Sequence, residues 1–146
     1  MWKRLIAGFG GAIALSVVDK FMNKRVPGAP DFEEVGEEVV DKSLEKVNLG
    51  IKDFSKVSSI ASASDIVKNG LYYSFTPFKM NSIVGALGGL GTMILPKKLG
   101  LDNTPIAGDD KKKMMTVGYY VIGALVAGGI YKLLTRNQDK YSKYEN

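Results

Sequence analysis

The chain has 146 residues, a net charge of +5, and neither cysteine nor histidine. This length fits one domain, or a membrane unit with a short soluble segment. Without cysteine there is no disulfide. Without histidine the commonest general base and metal ligand are missing, so zinc, copper and haem sites are not expected.

Mean hydropathy is near zero, but the average hides a segregation into apolar runs and charged segments. Residues 1–30 carry a net charge of +4, residues 31–70 carry −4 and residues 71–146 carry +5. Basic residues collect beside the apolar runs, where they can anchor at anionic lipid headgroups. No aromatic-plus-basic recognition pattern accompanies the charge, so nucleic acid is not an expected partner.

The first apolar run, Leu5–Val18, follows Trp2-Lys3-Arg4 and resembles the start of a secretory signal. A cut after Ala12-Ile13-Ala14 would leave an apolar region of only Leu5–Gly11, so a retained helix is expected instead. Its 14 residues reach about 21 Å, short of the ~30 Å hydrocarbon core. Extension through Asp19 and Lys20 to Phe21-Met22 closes most of the gap, and an interfacial or re-entrant helix is the alternative. Gly8, Gly11 and Ala12 lie on a small-residue face, opposite Ile6, Ile13 and Val17. An interfacial helix needs a polar face against an apolar one, so spanning is favoured. Asp19 falls on the small side near headgroup level, as an end-of-helix residue or a proton-carrying carboxylate.

Pro27-Gly28-Ala29-Pro30 marks a boundary, and Asp31 is placed to cap a helix with acid in its first turn. Apolar residues then recur at Val40, Leu44, Val47, Ile51 and Phe54 with helical spacing. An extramembrane amphipathic helix, or a broken pair, is expected across roughly residues 31–60. Its acidity argues against anionic lipid, so those five residues are expected to dock on a protein partner, soluble or part of a shell. Ser58–Asp65 reads as a loop or a closely packed helical turn, and Asn69-Gly70 as the stop that ends it.

Thr76-Pro77 reads as a helix start, and the apolar run Phe78–Leu95 is expected to stop at Pro96. Ser82, Gly85, Gly88, Gly89 and Thr92 share one face of it, opposite Met80, Ile83, Leu87, Leu90 and Ile94. Helices in lipid associate through close packing of small residues, so another helix is expected on the glycine face. A polar loop follows, with Asp109-Asp110 as a cap and three lysines at the membrane edge. Met114–Leu134 is the clearest span, with Gly123 and Ala127 along one side. The organisation expected is a first membrane helix (1–25), an acidic helical segment (26–70), a transmembrane hairpin (71–134) and a polar tail (135–146). The fold class is an all-α membrane protein with two or three transmembrane helices.

No phosphate loop is present: Gly85–Gly91 is glycine-rich, but no Lys-Ser/Thr follows it. No span has a charge near its middle, which argues against ion-coupled transport. Enzymatic activity and cofactors are not expected. The glycine faces, the lysine-edged spans and the short polar tail give the chain a class-level resemblance to minor membrane proteins of lipid-containing icosahedral phages. That resemblance implies a structural protein in an internal virion bilayer or the host inner membrane, packed against other membrane helices and organising a larger complex. A pore-forming, holin-like protein and an accessory subunit of a cellular membrane complex are the alternatives.

Overall fold

The computed structural model describes residues 1–38, 54–76 and 81–141, and these are helical with short connections. In chain order the elements are α1 (Trp2–Arg25), α2 (residues 32–38), α3 (Phe54–Phe75), α4 (Asn81–Lys98), α5 (Thr104–Ala107) and α6 (Asp110–Tyr141).

Helix α1 is longer than its apolar run. Its 24 residues reach about 36 Å, because Asp19 turns inward and Lys20 outward without breaking the helix. Lys24 and Arg25 lie in the last turn, where cations offset the negative end of the helix dipole. The chain then turns at Gly28, whose φ of +73° suits a residue without Cβ. Asp31 caps α2 by accepting the Glu34 N–H at 3.1 Å.

Helix α3 decides between the two readings of Ser58–Asp65 and corrects the expected stop. Ser58–Asp65 is helical, and Asn69-Gly70 does not stop the helix, which continues to Phe75. Both residues are committed to tertiary contacts. The Asn69 side chain accepts a hydrogen bond from Tyr120, and Gly70 lies beneath the Phe9 ring, 2.9 Å from where a Cβ would stand. The expected division at residue 70 therefore falls inside one helix. Val40, Leu44, Val47 and Ile51 lie outside the described residues, as does the side chain of Phe54.

Helix α4 does not stop at Pro96 but carries it in its final turn. The stop comes at Gly100, with φ +73°. There the Leu101 N–H donates to the Pro96 carbonyl at 2.9 Å and the Gly100 N–H to Lys97 at 3.2 Å, the paired bonds of a glycine-terminated helix end. The connection to α6 is less open than its polarity implies. It contains α5, and Ile106 at its centre is fully buried. Asp109 caps α6 by accepting the Lys112 N–H at 2.8 Å.

The four long helices run alternately up and down. Gly8 of α1 meets Gly70 and Ser74 of α3, while Gly11 meets Gly123 and Ala127 of α6. Gly85 and Gly89 of α4 meet Val121 and Val117 of α6. The α1–α2 and α4–α6 connections share one end, where Lys111 donates to the Pro27 carbonyl at 2.7 Å.

Two of the described helices are long and apolar enough to cross a membrane: α1, and α6 over Asp110–Arg136. The run Phe78–Leu95 was expected to be a span, but α4 is not one of the two. Its described part has 18 residues and ends on Lys97-Lys98, and residues 77–80 are outside the described chain.

Candidate helix-packing and buried polar site

Hydroxyl and amide groups share the core with apolar side chains, and large aliphatic side chains also lie on the surface. The core is built from Ala12, Leu15, Phe32, Val84, Ile106, Ala124 and Ala127 together with Tyr73, Tyr119 and Tyr120. Asn69, Ser74 and Thr116 are also buried. Large aliphatic side chains point outward instead: Ile6, Ile13 and Val17 on α1, Leu87, Leu90 and Ile94 on α4, and Ile122 and Leu125 on α6.

Small residues set the spacing between helices. A Cβ added at Gly11 would lie 2.5 Å from the Gly123 carbonyl oxygen and 2.7 Å from the Ala127 Cβ. One added at Gly85 would lie 2.5 Å from the Val121 Cα, and at Gly89 2.8 Å from the Val117 Cα. Apart from the Ala127 Cβ, which no rotation can move, these are backbone atoms, so no side-chain rotation relieves the contact. Gly8 is similarly closed by the Ser74 backbone nitrogen at 2.7 Å, and Gly88 by the rings of Tyr72 and Tyr120 at 2.8 and 2.9 Å. Ala12 is fully buried. Gly8, Gly11, Ala12, Gly85, Gly88, Gly89, Gly123 and Ala127 are thus gathered between helices of one chain. Ser82, expected on the same face as Gly85, is exposed.

Sequence reasoning did not single out the hydrogen-bond cluster at the centre. The Thr92 hydroxyl donates to the Tyr120 hydroxyl at 2.6 Å, and Tyr120 donates to the Asn69 carboxamide oxygen at 3.0 Å. The Tyr73 hydroxyl donates to the Tyr120 carbonyl at 2.9 Å, and Tyr72 donates to the Val84 carbonyl at 2.7 Å. Tyr73 also lies over Gly123, with its hydroxyl 2.6 Å from the place of a Cβ. Three helices, α3, α4 and α6, are thereby tied together without charge. The apolar neighbours of these tyrosines give no sign in the sequence of which hydroxyls turn inward.

Among the described residues, two of the cavities adjoin this core. The larger, about 620 Å³, opens between α3 and α4, with Leu87, Ile94 and Leu95 on its α4 wall and Tyr120 and Ile106 behind them. The smaller, about 30 Å³, lies between α1, α2 and α3 and is lined by Ser16, Asp19, Phe32, Ser62, Asp65 and Asn69 among others. Asp19 is 6% exposed, and its Oδ1 has no hydrogen-bond partner. The Tyr119 hydroxyl is likewise buried without a partner. Its ring packs on Phe32, with centroids 6.2 Å apart.

No protein-family profile, curated protein or solved structure matches this chain.

Proposed function

We propose that the protein is an integral membrane structural protein: a glycine-packed helical unit in the bilayer that anchors or organises a larger assembly. The observation that carries this reading is the pairing of a hydrogen-bonded polar cluster inside with an aliphatic surface outside. Hydroxyl and amide groups are hydrogen-bonded at the centre, and the outer faces of α1, α4 and α6 are aliphatic. In hydrocarbon an unsatisfied polar group costs several kcal/mol while an exposed leucine costs nothing, so this distribution suits lipid. In water the same surface would be an aggregation liability.

On this reading the glycines buried between helices hold the chain together, and assembly uses positions that remain open. Added Cβ atoms at Gly91, Gly118 and Gly129 would meet nothing within 4 Å. Gly118, Ile122, Leu125 and Gly129 follow one another at helical spacing on the outer side of α6. A second copy or a neighbouring membrane protein can approach there closely. The resemblance to small membrane proteins of lipid-containing phages supplies the setting: an internal virion bilayer or the host inner membrane, beside a shell protein. The acidic stretch that begins at α2 is the expected contact for that shell.

Alkaline carbonate extraction of membranes from expressing cells tests the reading. The protein is expected to stay in the membrane pellet, and release into the soluble fraction would overturn the proposal. Replacement of Gly118 and Gly129 together by leucine is expected to leave the chain folded and membrane-bound but to reduce its self-association or partner capture.

A further inference from the structure

We propose that the small cavity at Asp19 is a binding site for one small monovalent cation, Na⁺, held by the Asp19 carboxylate between α1 and α3. The argument begins with the cost of the group. A carboxylate removed from water must be neutralised by a counter-ion, a bound cation or a proton, and in a bilayer the demand is stronger. Asp19 is buried, and no hydrogen bond reaches its Oδ1. Among the described residues no cation pairs with it. Lys20, the next residue, also lines the cavity but is exposed and forms no ion pair with Asp19, and Lys68 is occupied by Asp65 at 2.7 Å.

The cavity supplies what a hard cation needs. Its volume of about 30 Å³ is on the scale of a small ion or water. Besides Asp19 it is lined by Ser16, Ser62 and Asn69, whose side chains bear neutral oxygens. Asn69 accepts one hydrogen bond from Tyr120, and a carbonyl oxygen retains a second lone pair. All-oxygen donor sets select hard ions over zinc or copper.

The charge count favours a single positive charge. Asp65 is already balanced by Lys68. Glu33 also lines the cavity but has another interaction. No group of three or more carboxylates is arranged to hold a metal ion among the described residues. One uncompensated carboxylate with neutral oxygens around it matches Na⁺ better than Ca²⁺ or Mg²⁺. A water alone would fill the space but leave the charge. Bound Na⁺ would join α1 to α3 near the end that carries both connections, and would stabilise the folded bundle in proportion to its occupancy.

The test uses the full-length protein in detergent micelles, with NaCl compared with N-methylglucamine chloride at equal ionic strength. The unfolding midpoint of the wild type is expected to rise with Na⁺ and to saturate. Ser62→Ala is expected to move the half-saturating Na⁺ concentration several-fold higher, and Asp19→Asn to abolish the Na⁺ response. Infrared difference spectra between the two salts should show a carboxylate band that responds to Na⁺ in the wild type. Equal midpoints in the two salts, or a full Na⁺ response in Asp19→Asn, would overturn the site. So would a carboxylic-acid band in the wild type that Na⁺ leaves unchanged, since the group would then be neutralised by a proton. If Asp19→Asn does not fold, the wild-type and Ser62→Ala titrations still decide the matter.

Discussion

Gly11 on α1 and Gly123 on α6 face each other reciprocally. A Cβ at Gly11 would stand 2.5 Å from the Gly123 carbonyl oxygen, and a Cβ at Gly123 would stand 3.0 Å from the Gly11 carbonyl oxygen. Each backbone occupies the space that the other's side chain would need. The contact joins helices from opposite ends of the sequence, and these are the two described helices long and apolar enough to span a membrane. It fixes the α1–α6 spacing to which the rest of the bundle is fitted.

Substitution of Gly11 or Gly85 by leucine is therefore expected to separate helices, not to rearrange side chains. Overpacking of a core usually costs about 1–3 kcal/mol, and contact with backbone places these sites at or beyond the upper part of that range. Gly91→Leu is the control, because its position is open. Thermal unfolding in micelles should show large losses for Gly11→Leu and Gly85→Leu and a near-native midpoint for Gly91→Leu. Equal midpoints for all three would show that the close approaches do not hold the bundle.

Tyr120 sits at the centre of the hydroxyl cluster, and Tyr120→Phe removes its links to Thr92 and Asn69. Interhelical hydrogen bonds in membranes contribute about 0.6 kcal/mol on average. The variant is accordingly expected to fold with a modest loss, on the order of 1 kcal/mol for two bonds, well below that of Gly85→Leu. Unfolding titrations of the two variants in one detergent would check this order. Steric contact, not hydrogen bonding, is the larger determinant of stability here.

The local devices of the fold can be read from sequence, while their tertiary uses cannot. Asp31 and Asp109 were placed as caps because a short acidic side chain before a helix has little else to bond. Asn69-Gly70 has the same appearance of a local signal, yet α3 runs through it, because Tyr120 and Phe9 use those residues from other helices. Pro96 misled for a related reason: a proline in the last turn disturbs few bonds, and Gly100 provides the stop. A stripe of glycines announces that a backbone comes close but carries no address. The sequence alone could not say whether Gly85 meets another chain or α6. The inward turn of Asp19 was legible as a position on the small face, but the cavity in front of it depends on α2 and α3.

Asp102 provides a pH-dependent handle outside the helices that could span. Its carboxylate accepts hydrogen bonds from the Thr104 hydroxyl at 2.6 Å and the Thr104 N–H at 2.8 Å. The hydroxyl bond first, then the backbone bond, holds its pKa below the ordinary carboxylate value. A depressed folded-state pKa means that the bond's contribution is present above the unfolded pKa and is lost as pH falls through the folded one. The start of α5 is expected to remain capped at neutral pH and to loosen only below the usual carboxylate range. The Thr104 amide resonance, followed by NMR against pH, should show that late transition in the wild type and lose it in Asp102→Asn.

The central claim, that the aliphatic outer faces of the bundle meet lipid, is tested most directly by nitroxide accessibility. The absence of cysteine lets single labels be placed one at a time. Labels at Val17, Leu90 and Leu125, all exposed, would be compared in liposomes with one at Ala124, which is 3% exposed. Predicted is strong relaxation of the three outer labels by oxygen with little by a water-soluble nickel chelate, and protection of the Ala124 label from both. Outer labels as accessible to the nickel chelate as to oxygen would place these faces in water and contradict the account.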